Sequence, residues 1–532
     1  MELRILNRYR APLENPRKIF CLKRGGTMEA RPADVIVIGS GIGGLTTAAL
    51  LQERGFKTIL FEKNRYPGGS CSSFRRQGFL FDAGASVFYG FGQNGSCGTL
   101  NLHTRVFRKL GIDVPTIPDP VQIHYHLPAG FSVAACYDKE AFLESLARRF
   151  PAEREGIRNF YTELQAVYDI LSALPAGSLE DIHHLLGVGA ANPLKTIALA
   201  IKSFRSMGKT ARKYIKNDEL LRFIDIEAYS WAVQDALATP LVNAGICLAD
   251  RHFGGINYPV GGSGAIPAAL CKGFESFGGT IRYQAEVTEI IMEQGCAVGV
   301  KLADGTIWKA DAIVSNATVW DTCNHLVKDP KYRIEQERFL EAPSWFQLFL
   351  GIDGSIVPPG LDVHHIIVDD WNRYKEHGGT LYCSLPTLLD KTLAPAGKHI
   401  VHAFVTDHVD QWKAYERGSQ PYLDAKAKRA RQIIAGVETI LPGLSKAIEV
   451  TVTASPLTHE RYLNRWHGSY GPLLKPGETI LQKPQNRTRI RNLFVVGDST
   501  FPGQGVIAVT YSGISCASLV ARKLGNPLDA LL

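Results

Sequence analysis

No stretch of this 532-residue chain holds the ~20 consecutive apolar residues that a membrane-spanning helix requires, so no such helix is predicted. No two of its 10 cysteines form a C-x-x-C pair, which removes the spacing that marks zinc modules and dithiol redox sites. No other spacing of histidines or carboxylates identifies a metal, and none is expected. The N-terminal segment lacks the apolar core of a secretory signal. Reduced thiols of a cytosolic or plastid-stromal kind follow from that reading. Low-complexity tracts and short internal repeats are missing as well, which excludes linker-like and solenoid architectures. What remains is ordinary globular composition, 45% hydrophobic and 21% charged, in a chain long enough for several domains.

The net charge of +8 is unevenly placed. Arg4, Arg8, Arg10, Arg17, Lys18, Lys23 and Arg24 face only Glu2, Glu14 and Glu29 in the first 30 residues, so half of the excess lies there. Three acids and little serine weaken a transit-peptide reading, and residues 1–27, before Met28, read as an upstream extension outside the fold. The remaining basic excess has no recognisable nucleic-acid module around it, so no nucleic-acid partner is expected.

Hydrophobic periodicity predicts a strand over Asp34–Ile38, a helix over Ile42–Arg54 and a strand over Thr58–Glu62, a compact βαβ unit. Residues 280–317 read as strands broken by turns at Gln294-Gly295 and Asp304-Gly305. A strand over Asn492–Val496 leads into a long apolar helix from about Gly505 to Leu524, closed by Arg522, Lys523 and Gly525. The fold class is α/β. A basic extension (1–30) precedes a nucleotide-binding domain in three parts (31–110, 246–320 and 486–532). Between them lie a mostly helical substrate and membrane-contact part (111–245) and a substrate domain (321–485) of mixed strands, prolines and aromatics.

Gly39-Ser40-Gly41-Ile42-Gly43-Gly44 sits between the first strand and first helix. The first glycine allows the tight turn, the second lets backbone approach a pyrophosphate, and the third lets the helix pack on the strand. The helix N-terminus offers unpaired N–H groups to the phosphates. Glu62, ending the second strand, has the spacing of a ribose contact. Lys63 and the pair Gly68-Gly69, followed by Ser70, suit an extended flavin loop rather than a plain dinucleotide turn. At the far end, Gly497-Asp498 closes a strand and Gly505-Val506 opens a helix. The carboxylate is placed to meet a ribityl chain, and the helix N-terminus to stabilise the flavin edge that becomes negative on reduction. Val287 is assigned to the same set, and the expected cofactor is FAD, held by both ends of the chain.

Longer runs carry a more specific signal: residues 119–128 (DPVQIHYHLP), 250–259 (DRHFGGINYP), Ser315-Asn316-Ala317-Thr318, Trp320-Asp321-Thr322, Ser469-Tyr470-Gly471-Pro472 and residues 497–505 (GDSTFPGQG). With these, the chain from about Val35 to Leu524 resembles the carotenoid isomerase branch of the phytoene-desaturase-like flavoproteins. The resemblance implies a discontinuous Rossmann-type FAD domain of the glutathione-reductase and amine-oxidase kind, with an inserted α+β substrate domain. It implies cis–trans isomerisation of poly-cis lycopene to all-trans lycopene by reduced FAD, with NAD(P)H a possible reductant and no net redox change. Residues 70–73, 228–234 and 466–468 depart from the commoner versions of the family. They keep a desaturase, saturase or hydratase open as alternatives, and a non-catalytic Rab-escort or GDI-like lipid carrier as the reading from another class.

A water-insoluble C40 substrate must be collected from a membrane. From Ile182 to Asn217 there is no acid, while Lys195, Lys202, Arg205, Lys209, Arg212, Lys213 and Lys216 accompany Leu194, Ile197, Leu199, Ile201 and Phe204. Peripheral contact with a membrane surface, photosynthetic or cytoplasmic, in a plastid or cyanobacterial-type cell is expected there. Within the helical run 220–231, Leu220, Ile224, Glu227 and Trp231 share one stripe. Glu227 interrupts an apolar face and is the catalytic candidate, with pairing to an arginine as the plainer role. Asp225, His252 and the Thr458-His459-Glu460-Arg461 cluster are weaker candidates. Oligomeric state has no signal in the sequence.

Overall fold

A computed structural model describes residues 33–92, 100–475 and 477–529. The expectations for residues 1–27 and 1–30 lie outside the described residues.

Five parallel strands form the body of the first, seven-stranded sheet, in the order Leu493–Val495, Ile307–Ser315, Ala33–Ile38, Thr58–Phe61 and Thr280–Arg282. Chain end meets chain start here, because the last strand pairs with the strand beside the first. Side chains alternate across Ala33–Ile38. Val35 and Val37 pack with Leu45, Leu270 and Ala517 of three helices, Ile42–Glu53, Ala265–Ser276 and Val506–Lys523. Ile36 and Ile38 face the opposite way, onto Ile290, Val300 and Ile313. A strand buried on both faces reads as a nearly continuous apolar run, which is what D-V-I-V-I is.

The long strand Ile307–Ser315 serves two layers. Its first residues pair antiparallel with Cys296–Leu302, and Ala310–Ser315 pairs parallel with the first strand. The preceding hairpin turns at Gln294 and Gly295, both at positive φ (48° and 75°), the geometry a two-residue hairpin turn favours.

The second sheet runs Ile448–Ala454, Ser344–Asp353, Lys398–Asp407, Leu381–Ser384, His364–Ile367, Val121–Leu127 and Phe131–Cys136. One face packs on the helix Gln420–Val437. At its far end the other face packs on helices Arg154–Ser172, Asp218–Ala232 and Leu241–Asp250. Residues 111–245 are therefore not helical throughout, because the hairpin 121–136 is the edge of this sheet. Its alternation, Ile123, Tyr125 and Leu127 inward against His124 and His126, is the period of a strand. The helix Leu241–Asp250 also crosses the expected boundary at 245/246 and belongs to the core of the inserted helices.

Candidate functional site

A cleft of about 690 Å³ opens at the carboxyl end of the parallel strands. Of the predicted cofactor residues, Gly39, Gly41, Glu62, Lys63, Gly69, Ser70 and Val287 line it. Gly39 holds φ +91°, a conformation side chains resist, and turns the strand sharply into the helix. At Gly41 the constraint is space: a Cβ there would lie 2.4 Å from the Asn316 amide nitrogen. Ile42, Gly43 and Gly44 are buried in the first turn of the helix, with Gly43 against the backbone of Gly497. The Gly68 N–H donates to the Ser40 carbonyl (2.9 Å), which ties the second glycine pair to the first loop.

Glu62 is held by four donors. One carboxylate oxygen accepts from the Ser40 N–H (2.9 Å) and hydroxyl (2.6 Å), the other from the Asn64 N–H (2.8 Å) and side-chain amide (3.0 Å). Its acceptor positions are thereby filled, so any further donor must displace one of these four. Lys63 donates to the Arg461 carbonyl (2.8 Å) and to Asn464. Burial lowers its pKa, against the pull of Glu286 and Glu62.

Asp498 lies behind the cleft wall in an ion pair with Arg465, a residue that lines the cleft. Burial works against the guanidinium charge, but Asp498 and Tyr470 outweigh it and the Arg465 pKa moves upward. Arg465 stacks over the Tyr470 ring at 4.2 Å. The Tyr470 hydroxyl in turn lies 3.2 Å from the Ser70 hydroxyl and 3.0 Å from His459 Nδ1. His459, one of the weaker candidates, is buried, and desolvation drops its pKa to about 3.

Tyr470 also borders a second cavity, of about 80 Å³. Trp231, Leu248, Leu473 and Leu474 give it apolar walls, and Glu227, Lys483 and Gln504 bring polar groups to it. Gly505 and Val506 follow Gln504 directly and start the last helix. The Lys483 ammonium donates to the Pro472 carbonyl (3.0 Å), and burial lowers its pKa to about 8 against the pull of Asp498.

Glu227 reaches this cavity wall with both oxygens engaged. One accepts from Arg251 Nη1 (2.8 Å), the other from the Tyr161 hydroxyl. Both side chains of the pair are fully withdrawn from solvent. Burial opposes the Arg251 charge, yet Glu227 and the neighbouring phenols shift its pKa upward. Arg251 also lies 4.4 Å over the Phe142 ring. The pair thus joins the helix Asp218–Ala232 to the end of Leu241–Asp250. Asp225 accepts from the Ala236 N–H (3.0 Å), and His252 Nδ1 faces the Tyr137 carbonyl (3.0 Å); neither residue lines either cavity.

Asn316, Arg465 and Lys483 are absent from the residues predicted to form the site. Asn316 had a signal, since it follows a strand of the parallel sheet within the Ser-Asn-Ala-Thr run. Arg465 and Lys483 arrive on loops whose sequences carry none.

Helices Ile182–Ala191 and Pro193–Ser203 meet at 116° and contribute no buried residue. Leu186 (64% exposed), Leu194 (81%), Ile197 (59%) and Phe204 (74%) stand in solvent. Among the described residues no single helix is long and apolar enough to cross a membrane. Of the basic residues expected to face a membrane, Lys202 is committed elsewhere, in an ion pair with Glu163 (2.7 Å).

The family model for flavin-containing amine oxidoreductases matches residues 42–521. A chloroplastic prolycopene isomerase of Daucus carota is 42% identical over 507 residues, covering 94% of this chain and 82% of that protein. A neurosporene-forming phytoene desaturase of Cereibacter sphaeroides is 27% identical over 533 residues, covering 93% of this chain and 97% of that protein. Among solved structures, wild-type putrescine oxidase superposes with a TM-score of 0.60 at 13% identity, over 92% of this chain and 99% of its own, and shows the fold.

Proposed function

The chain belongs to the flavin-containing amine oxidoreductase family, and from that premise we propose that it isomerises poly-cis lycopene (prolycopene) to all-trans lycopene with FAD in the large cleft. The observation that carries this reading is the 42% identity to a prolycopene isomerase, which runs through 94% of the chain and so through the segments around both cavities. The desaturase relative, at 27%, supports the same scaffold with less similarity.

The cleft fits the cofactor. A glycine loop in which a Cβ at Gly44 would meet the Gly39 carbonyl at 2.3 Å, a helix N-terminus behind it and a fixed carboxylate at Glu62 are what a pyrophosphate and a ribose require. In this proposal Gly39–Gly44 and Gly68–Ser70 cradle the phosphates, and Lys63 and Val287 flank the adenosine part. Asp498 takes the ribityl chain on giving up its bond to Arg465, and the Gly505-Val506 helix start faces the flavin edge. When bound and reduced, with NAD(P)H as a possible electron source, the flavin supplies electron density to a conjugated polyene and lowers the order of a double bond.

The protein's own task is to seat the polyene and keep water away. Trp231, Leu248, Leu473 and Leu474 provide apolar contact on the far side of Tyr470 from the cleft. At about 80 Å³ the cavity lies well below the ~300 Å³ of an ordinary ligand pocket, so entry of a C40 chain entails separation of the walls that line it. Glu227 acts as a positioning residue: it anchors Arg251 and so fixes the helix that carries Trp231.

The exposed apolar surface of helices 182–203 supports peripheral membrane docking, on a plastid or cyanobacterial-type photosynthetic membrane, as the route for a hydrocarbon substrate. Purified protein should show the absorption bands of bound FAD. Anaerobic incubation of the photoreduced enzyme with poly-cis lycopene should yield all-trans lycopene. A colourless protein that binds carotenoid without converting it would favour a lipid carrier instead.

A further inference from the structure

Three histidines that line neither cavity are brought together by the parallel junction of the second sheet. Strands Val121–Leu127 and His364–Ile367 pair with His365 opposite His124 and Ile367 opposite His126. Tyr125 and Ile366, between them, turn into the apolar core, so His124, His126 and His365 project from the other face. Ring centroids lie 4.4 Å apart for His124 and His126 and 5.2 Å for His126 and His365. One nitrogen from each ring lies within 4.8 Å of the others.

Hydrogen bonds fix two of the tautomers. His365 Nε2 faces the Asp362 carbonyl at 2.9 Å. A carbonyl only accepts, so Nε2 carries the proton and Nδ1 presents a lone pair. His124 Nδ1 faces the Asp362 carboxylate at 2.7 Å, which leaves Nε2 as the lone-pair nitrogen, 2.8 Å from the Ser132 hydroxyl. Asp362 thus orients one ring with its side chain and the other with its main chain, the support that metal-binding histidines ordinarily have. His126 Nε2 lies 3.0 Å from His365 Nδ1, close to the ~3.3 Å that two nitrogens keep when each sits 2.0–2.1 Å from a tetrahedral zinc ion. The His124 side chain is 28% exposed, so an ion reaches the cluster from solvent.

We propose that His124, His126 and His365 bind one divalent transition-metal ion of the imidazole-preferring class, zinc foremost, with water as the fourth ligand. The ion clasps the hairpin 121–136 to a strand that lies more than 200 residues further along the chain. Full-length, untagged, FAD-loaded protein stripped with a chelator is titrated with ZnCl2. One equivalent should bind, and His126→Ala combined with His365→Ala should lose the tight site while the FAD-to-protein ratio stays unchanged. Asp362→Asn should weaken zinc by about 10- to 100-fold. Independently of any variant, Co2+ on the wild-type protein should give the intense visible absorption of a four-coordinate site. Failure of the wild type to take up one equivalent, equal uptake by the double variant, or only the weak spectrum of hydrated cobalt would overturn the proposal.

Discussion

Glu227 and Arg251 form a fully buried pair in which each group depends on the other. Glu227→Ala leaves a guanidinium in the interior without its carboxylate, a loss of ~3–5 kcal/mol. The melting temperature of the FAD-bound protein should fall accordingly. Glu227→Gln keeps the shape and an acceptor for Arg251 and should cost less. If Glu227→Gln kept its melting temperature and flavin but lost turnover by two orders of magnitude with KM unchanged, the carboxylate would be acting on the substrate rather than anchoring Arg251.

Lys483 makes a pH-dependent claim. Its pKa falls from 10.5 to about 8 on folding. Between those values the unfolded chain binds the extra proton, so stability rises with pH through that window, by ~3 kcal/mol at most. Below pH ~8 the buried ammonium is a constant cost. Thermal unfolding of wild type and Lys483→Met from pH 7.5 to 10 isolates this one group. The wild type should gain on the variant as pH rises, and a constant difference would place the amine in solvent. At Gly41 the expectation is steric: Gly41→Val should expel FAD, seen as loss of flavin absorbance, with far less effect on far-UV circular dichroism.

At the scale of elements, the bent helical pair 182–203 leaves Leu186, Leu194, Ile197 and Ile201 exposed, while Leu199 packs on the core of the inserted helices. Each such side chain is worth ~1.5–3 kcal/mol when fully buried, so three of them in a bilayer interface outweigh the screened attraction of the lysines. Replacing Leu194, Ile197 and Phe204 by serine should therefore reduce liposome sedimentation more than reversing Lys195, Lys209 and Lys213 to glutamate. Only the charge-reversal effect should track ionic strength. Lys202 is left out because reversing it would break its bond to Glu163. Activity on detergent-dispersed substrate should hardly change in either variant.

The elements also show what was legible in the sequence. The βαβ unit, the Gln294-Gly295 hairpin and the last helix carry their own signals in glycines, caps and short-range periodicity. The placement of the hairpin 121–136 carries none, because its neighbour in the sheet, His364–Ile367, lies more than 200 residues away. The site divides in the same way. Gly39 to Gly44, Glu62 and Ser70 announce themselves by spacing, and the cleft gathers Gly39, Gly41, Glu62 and Ser70. Arg465 reaches Asp498 from a loop that no periodicity marks. His124 and His126 stand two apart on a strand and so share a face, but their third partner is supplied only by the fold.

For the whole molecule, the central feature is that the parallel sheet and the helices packed on it are assembled from both ends of the chain. The strand Leu493–Val495 pairs with Ile307–Ser315, and Thr47 donates to the Gly513 carbonyl (3.1 Å) between the first and last helices. Truncation before Gly497 uncovers Leu45 and Ala48, which pack in the same core as Ile514 and Ala517. The truncated chain should lose stoichiometric FAD and aggregate, whereas one beginning at Met28 should keep its flavin and melting temperature. The reaction itself is tested most directly by anaerobic incubation of photoreduced, FAD-loaded enzyme with poly-cis lycopene in liposomes. Products are separated by chromatography while the flavin spectrum is followed. The account predicts many turnovers to all-trans lycopene with the flavin still reduced at the end. A product differing in its number of double bonds, formed with stoichiometric change in flavin oxidation state, would contradict it.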